Sequence, residues 1–288
     1  MSGSKVRNGL GSSARFRCLQ AGACVSWTAA PLALEAKRNE IHIWRLNAND
    51  PNVALLASNA TEAEQSHAKR YRLPASRNEF IVARGFIRFV LGRYLSIPPG
   101  SVRIRAGQHG KPELAGDFHR DRLTFNLAHS AGVILVAITV GHQIGIDIEF
   151  LDSKVQFSEI ARTIFSQTEQ SWLSQLPDDQ RQLNYFRCWT RKEAFVKALG
   201  EGLSDRIRQV EIVPAAVGLL ARVAGIPAGD RWMIKDLDAG DRFAAALAVS
   251  NRDCRVRLWD WSGEPGHARL TKKTREKTRS SCHLLEVQ

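Results

Sequence analysis

The chain has 288 residues, 44% of them hydrophobic and 24% charged, with a formal net charge of +12. That balance is ordinary for a globular protein, and no stretch approaches the roughly 20 apolar residues needed to span a bilayer, so membrane-spanning readings are excluded. Residues 1–40 supply +4 of the charge and residues 263–288 supply +3, which leaves about +5 between them, a mild excess suited to an anionic nucleotide or an acidic partner.

Before Ile41 there is no sustained apolar periodicity, and residues 1–40 read as a poorly ordered extension. They lack the apolar run and small-residue cleavage site of an export signal. The five cysteines are odd in number and scattered, which suits a reducing cytoplasm. "IHIW" from Ile41 reads as a first strand, Ala60–Arg70 as a polar helix, and Arg77–Leu95 as a longer helix that lines up Phe80, Ala83, Ile87, Val90 and Tyr94. Pro98, Pro99 and Gly100 stop that helix. Extended segments follow at Ser101–Arg105, Leu123–Leu127, Val133–Val140 and "IGIDIEF", all rich in β-branched residues. The period becomes helical again at Phe157–Leu176 and Leu183–Leu199, before closing strands at Arg242–Ser250 and Val256–Trp261. Helix followed by strands thus occurs twice, which predicts two similarly built α+β halves, 41–141 and 142–262, with a basic tail at 263–288.

Two strings carry chemistry. In "GIDIE", Asp147 and Glu149 stand two apart on a strand and share a face, with Ile144, Ile146 and Ile148 on the other. Carboxylates fixed on a rigid element suit a hard cation such as Mg²⁺, although an acidic pair at this spacing also serves as a plain solvated face. In "WTRKEAFVKALGEGL", Trp189, Glu193, Lys197 and Gly200 fall along one helical stripe, which brings a carboxylate and an ammonium one turn apart. Taken alone, that pair is a common surface feature.

Together the strings resemble the signature of the 4'-phosphopantetheinyl transferase superfamily, in its two-halved, surfactin-synthetase-activating type. That signature is a G-[IV]-D-[IV]-E strand and, some forty residues later, a W-x-x-K-E-[AS]-x-x-K-x-x-G-x-G-[LIF] helix, and both are intact here. The likeness extends to "GKPEL" at Gly110–Leu114 and "FNLAHS" at Phe125–Ser130, where Ala128 replaces the usual first serine. The resemblance implies two α/β subdomains related by a pseudo-twofold axis. It implies transfer of phosphopantetheine from coenzyme A to a serine of an apo acyl or peptidyl carrier protein, with release of adenosine 3',5'-bisphosphate. By the same resemblance Asp147, Glu149 and Glu193 hold Mg²⁺, Glu193 is the general base, and Lys197 serves the leaving phosphate. Arg77, Lys111 and His129 match positions that clamp the adenosine 3'-phosphate, Ser130 belongs to the same coenzyme-binding motif, and Lys192 would sit near the diphosphate. A monomer with no specific nucleic-acid partner is expected. The competing expectations are a relative that binds carrier or nucleotide without turnover, and a basic nucleic-acid-binding protein.

Overall fold

The computed structural model describes residues 26–116, 123–152, 157–201, 206–214, 219–223, 232–261 and 263. β1 (Thr28–Ala29) and β2 (Glu40–Asn47) are followed by α1 (Ala54–Ala57), α2 (Glu62–Ala68) and α3 (Pro74–Leu95). The hairpin of β3 (Ile104–Ala106) and β4 (Pro112–Leu114) leads to β5 (Leu123–Ser130), β6 (Val133–Val140) and β7 (Ile144–Phe150). Four helices come next: α4 (Phe157–Ile164), α5 (Gln167–Ser174), α6 (Asp178–Leu199) and α7 (Arg206–Gln209). The remaining strands are β8 (Val210–Pro214), β9 (Leu219–Val223), β10 (Met233–Leu237), β11 (Phe243–Val249) and β12 (Arg255–Asp260).

Two sheets and two long helices make four layers. The larger sheet has the order β1-β12-β2-β6-β5 and the smaller one β10-β11-β7. One face of the larger sheet buries Trp44, Leu46 and Val136 against Val82, Phe86 and Val90 of α3. Alternation along β2 and β6 sends Ile41, Ile43, Leu135 and Ala137 the other way, onto Ile144, Ile146, Ile148 and Leu247 of the smaller sheet. The outer face of that sheet is built from small residues, Gly145, Ala246 and Ala248, and α6 lies on it through Ala194 and Ala198. Each half therefore lays one 22-residue helix over its own strands. The α+β class read from the sequence holds.

Several expectations change in detail. The helical stretch Phe157–Leu176 is two helices, because Ser166 and Glu169 form a reciprocal capping box that starts α5. Ser101–Arg105 becomes a strand only from Ile104, since Pro99–Ser101 winds into a single 3₁₀ turn. Order begins before Ile41: Thr28 and Ala29 pair with Trp259 and Asp260, Trp27 Nε1 donates to the Asp238 carbonyl at 2.5 Å, and Arg93 donates to the carbonyls of Pro31 and Leu32. β12 pairs in parallel with β2 from Arg255↔Glu40 to Asp260↔Arg45, so the last strand completes the sheet of the first half and the boundary near residue 141 is not a clean cut. Residues 1–25 and 264–288 lie outside the described residues.

Candidate active site

The site is set by how α6 lies on β7. Trp189 Nε1 donates to Glu149 Oε1 at 3.4 Å, Lys197 Nζ donates to Asp147 Oδ1 at 2.5 Å, and a Cβ on Gly145 would stand 2.0 Å from the Ala194 carbonyl oxygen. Helix and strand thus run antiparallel. From Trp189 to Ala198 the helix rises about 13.5 Å, and from Glu149 to Gly145 the strand covers about 13 Å, so the two stay in step across the whole motif. Gly145 allows this approach, Gly200 ends the helix in the left-handed conformation at φ 76°, and Gly202 and Leu203 of the same string fall outside the described residues.

Asp147 and Glu193 are 4% and 5% exposed. Burial pushes Asp147 up to about 7; Lys197 opposes the shift, and the negative charges of Glu149 and Glu193 add to it. Burial likewise raises Glu193, against Lys197 and with Glu149. The charge of Glu149 thus bears on both Asp147 and Glu193, and that of Glu193 on Asp147. Two buried oxygens, Asp147 Oδ2 and Glu193 Oε1, have no hydrogen-bond partner. Their chemistry fits a hard divalent cation. As the side chains stand, however, no group of three His, Cys, Asp or Glu among the described residues is arranged to close on one ion. In this arrangement Lys197 holds Asp147 Oδ1, while Trp189 and Ser130 each donate to one oxygen of Glu149.

The remaining expected residues divide. Lys111 Nζ donates to the carbonyls of Ile144 (2.9 Å) and Ala198 (3.2 Å), at the Gly145 end of β7, and burial pushes it down to about 8 against the opposing charge of Glu113. It borders a cleft of about 560 Å³ lined also by Leu114, Phe125, Gln143 and Leu199. His129 stands at the other end: its Nδ1 meets Glu79 Oε1 at 2.6 Å, and its neighbour Ser130 accepts from the Phe150 amide at 3.0 Å. Six residue steps along the strand take Ile144 to Phe150, about 20 Å, so the structure does not bring Lys111 and His129 to one phosphate. Arg77 is exposed at the start of α3 and donates to the Tyr71 carbonyl at 3.2 Å.

Lys192 is a correction. It points away from the carboxylates into the interior, fully buried, and donates to both oxygens of Glu169 at 3.1 and 2.8 Å and to the Val210 carbonyl. Its neighbour Glu193 faces the site because adjacent helical residues diverge by about 100°. Ala128 is buried at 5% in the core between the sheets, on the same face of β5 as Asn126 and Ser130, so the absent serine hydroxyl would face the edge of β7. Sequence reasoning missed Glu79, whose Oε2 also accepts from the Gly132 amide at 3.0 Å. Burial would raise Glu79, but His129 and that amide hold it below its ordinary value.

The three carboxylates and the Lys197 ammonium stand on β7 and α6, two elements that also border the cleft through Ile144, Ala198 and Leu199. Residues 143–248 match the family model described as the 4'-phosphopantetheinyl transferase superfamily. The 4'-phosphopantetheinyl transferase HetI of Nostoc sp. is 33% identical over 238 residues, 82% of this chain and 98% of that protein. The 4'-phosphopantetheinyl transferase of Bacillus subtilis is 29% identical over 72% of this chain and 89% of its own length. Among solved structures, the holo-[acyl-carrier-protein] synthase of Thermotoga maritima is 26% identical, covers 38% of this chain and 63% of its own, and superposes with a TM-score of 0.32. The chain belongs to the 4'-phosphopantetheinyl transferase superfamily. It is therefore an enzyme, and the expectation of a binding relative without turnover is set aside.

Proposed function

We propose that this chain moves the phosphopantetheine arm of coenzyme A onto a serine of an apo acyl or peptidyl carrier protein, releasing adenosine 3',5'-bisphosphate, with Mg²⁺ as cofactor. The observation that carries this reading is the pair of buried, partnerless oxygens, Asp147 Oδ2 and Glu193 Oε1, beside the ammonium of Lys197. Asp147, Glu193 and Glu149 would hold the ion, which when bound would neutralise the pyrophosphate as a Lewis acid.

The residues of the chain do the rest. Burial makes Glu193 a stronger base than an exposed glutamate, so its carboxylate takes the proton of the attacking serine hydroxyl. Lys197 is anchored through one N–H on Asp147, which leaves two for the departing phosphate. Lys111 spends two N–H groups on carbonyls and keeps a third for an anion of the coenzyme in the cleft it borders. His129, at the far end of β7, serves a different group of the substrates, and Arg77 stands exposed at the start of α3. The buried free thiols of Cys188 and Cys254 accord with a cytoplasmic protein, and the family type with a monomer free of specific nucleic-acid contacts.

The test uses the full chain with coenzyme A, Mg²⁺ and a panel of apo carriers from fatty-acid, polyketide and peptide synthetases, read as a mass gain of one phosphopantetheine. Glu193→Gln is expected to lower kcat by about 100-fold or more with the fold intact. No mass gain on any carrier would refute the reading.

A further inference from the structure

In the pairing of β7 with β11, the backbone groups of alternate residues face the partner strand. Those of Ile144, Ile146 and Phe150 face away from β11, toward β5 and the β3–β4 hairpin, and each is met by a side chain. The Ile144 carbonyl accepts from Lys111, the Ile146 amide donates to Asn126 Oδ1 at 2.9 Å, and the Phe150 amide donates to Ser130 Oγ at 3.0 Å. Asn126 and Ser130 are four residues apart on β5, as are Ile146 and Phe150 on β7. The strands therefore run parallel and in step, with side chains standing in for the backbone ladder that would otherwise join them.

Ser130 does a second thing. Its hydroxyl donates to Glu149 Oε2 at 3.2 Å, while Trp189 holds Oε1. A serine hydroxyl has one proton, and here it is spent. Ser130 thus has no donor to offer a coenzyme phosphate while it restrains the carboxylate one residue before its own amide partner.

We infer that Ser130 is a positioning residue: it pins the free edge of β7 and orients the Glu149 carboxylate for the cation, and it is not a coenzyme A ligand. This rests on the reading of Asp147, Glu149 and Glu193 as the metal site. A hydrogen bond to a ligating carboxylate fixes which lone pair faces the ion, and removing such partners lowers metal affinity about 10–100-fold.

The experiment measures Mn²⁺ binding to the full-length protein, without coenzyme A, from the electron paramagnetic resonance signal of free Mn²⁺. Ser130→Ala is expected to weaken binding about tenfold or more, and Ser130→Thr, which keeps the hydroxyl, to restore it. With saturating metal, the KM of Ser130→Ala for coenzyme A stays within about twofold of wild type. Ser130→Cys fills the same space with a weak donor and carries the same expectation should the alanine variant not fold. Asp147→Ala is run alongside. If Asp147→Ala abolishes Mn²⁺ binding while Ser130→Ala leaves it unchanged, or if Ser130→Ala raises only the KM for coenzyme A, the positioning role is overturned. If Asp147→Ala also leaves Mn²⁺ binding unchanged, the metal-site reading falls and this inference falls with it.

Discussion

Lys192→Met distinguishes an internal anchor from a substrate contact. The Lys192 ammonium donates to both oxygens of Glu169 and to the Val210 carbonyl, and both side chains are wholly buried. Without it, the Glu169 carboxylate would keep only the amides of Ser166 and Ile212, each at 2.8 Å, as donors in a dry interior. Breaking a buried pair by removing one partner costs about 3–5 kcal/mol, because the other charge stays behind. In a chain of this size each kcal/mol lowers the melting temperature by ~2–4 °C, so Lys192→Met is expected to melt on the order of 10 °C below wild type. The double variant Lys192→Met, Glu169→Gln removes the stranded charge but keeps an amide oxygen as acceptor, and recovers more than half of that loss. Thermal melts and urea titrations of wild type, both single variants and the double variant close the cycle. A Lys192→Met protein that melts within about 3 °C of wild type, with the KM for coenzyme A raised tenfold, would refute this reasoning and return the ammonium to the diphosphate.

Lys111 gives a pH dependence of known sign. Its ammonium is held down to about 8 by burial, so the cation is present below that pH and lost above it, and the KM for coenzyme A is expected to rise as pH passes 8. Lys111→Arg, whose guanidinium does not titrate in this range, flattens that rise; a wild-type KM constant from pH 7 to about 9 would contradict the contact. Because the group is depressed below its ordinary 10.5, the unfolded chain binds more protons between those values, and this lysine makes stability increase with pH across that window. In Gly145→Ala the new methyl would meet backbone atoms, the Ala194 carbonyl oxygen at 2.0 Å and the Ala198 nitrogen at 2.4 Å. A loss of about 3 kcal/mol or more in urea unfolding is expected, with turnover falling as α6 is pushed off the carboxylates. Ala128→Ser is expected to leave the KM for coenzyme A within about twofold, since its hydroxyl faces β7; a clear drop would restore a phosphate contact at this position.

The elements that place the site were legible because their periodicities are strong. Both long helices, the β6 and β7 strands, and the facing of Asp147 and Glu149 against three isoleucines follow from spacing alone. What spacing could not supply was the far partner. Nothing in "WTRKEAF" says that Lys192 finds Glu169, because that glutamate advertises itself only as the third residue of a helix cap. Glu79 lies on the polar side of a helix crowded with arginines, and its bond to His129 joins residues fifty apart. The helix arginines sort by the same rule: Arg88 is buried on Glu64, Arg93 is engaged by the segment before Ile41 and Arg84 lies over the Phe80 ring, which leaves Arg77 at the open end. Small residues were the weakest signal and among the most informative in three dimensions, since Gly145, Ala246 and Ala248 decide how near α6 can come.

The seating of β12 between β1 and β2 has a consequence for how the molecule is born. When the first 141 residues have been synthesised, β2 still shows a bare rim of amides and carbonyls, and the strand that covers it lies more than a hundred residues further along the chain. The nascent half must wait with that rim uncovered, a state prone to mispairing with other chains. Closure comes only when Arg255–Asp260 reaches Glu40–Arg45.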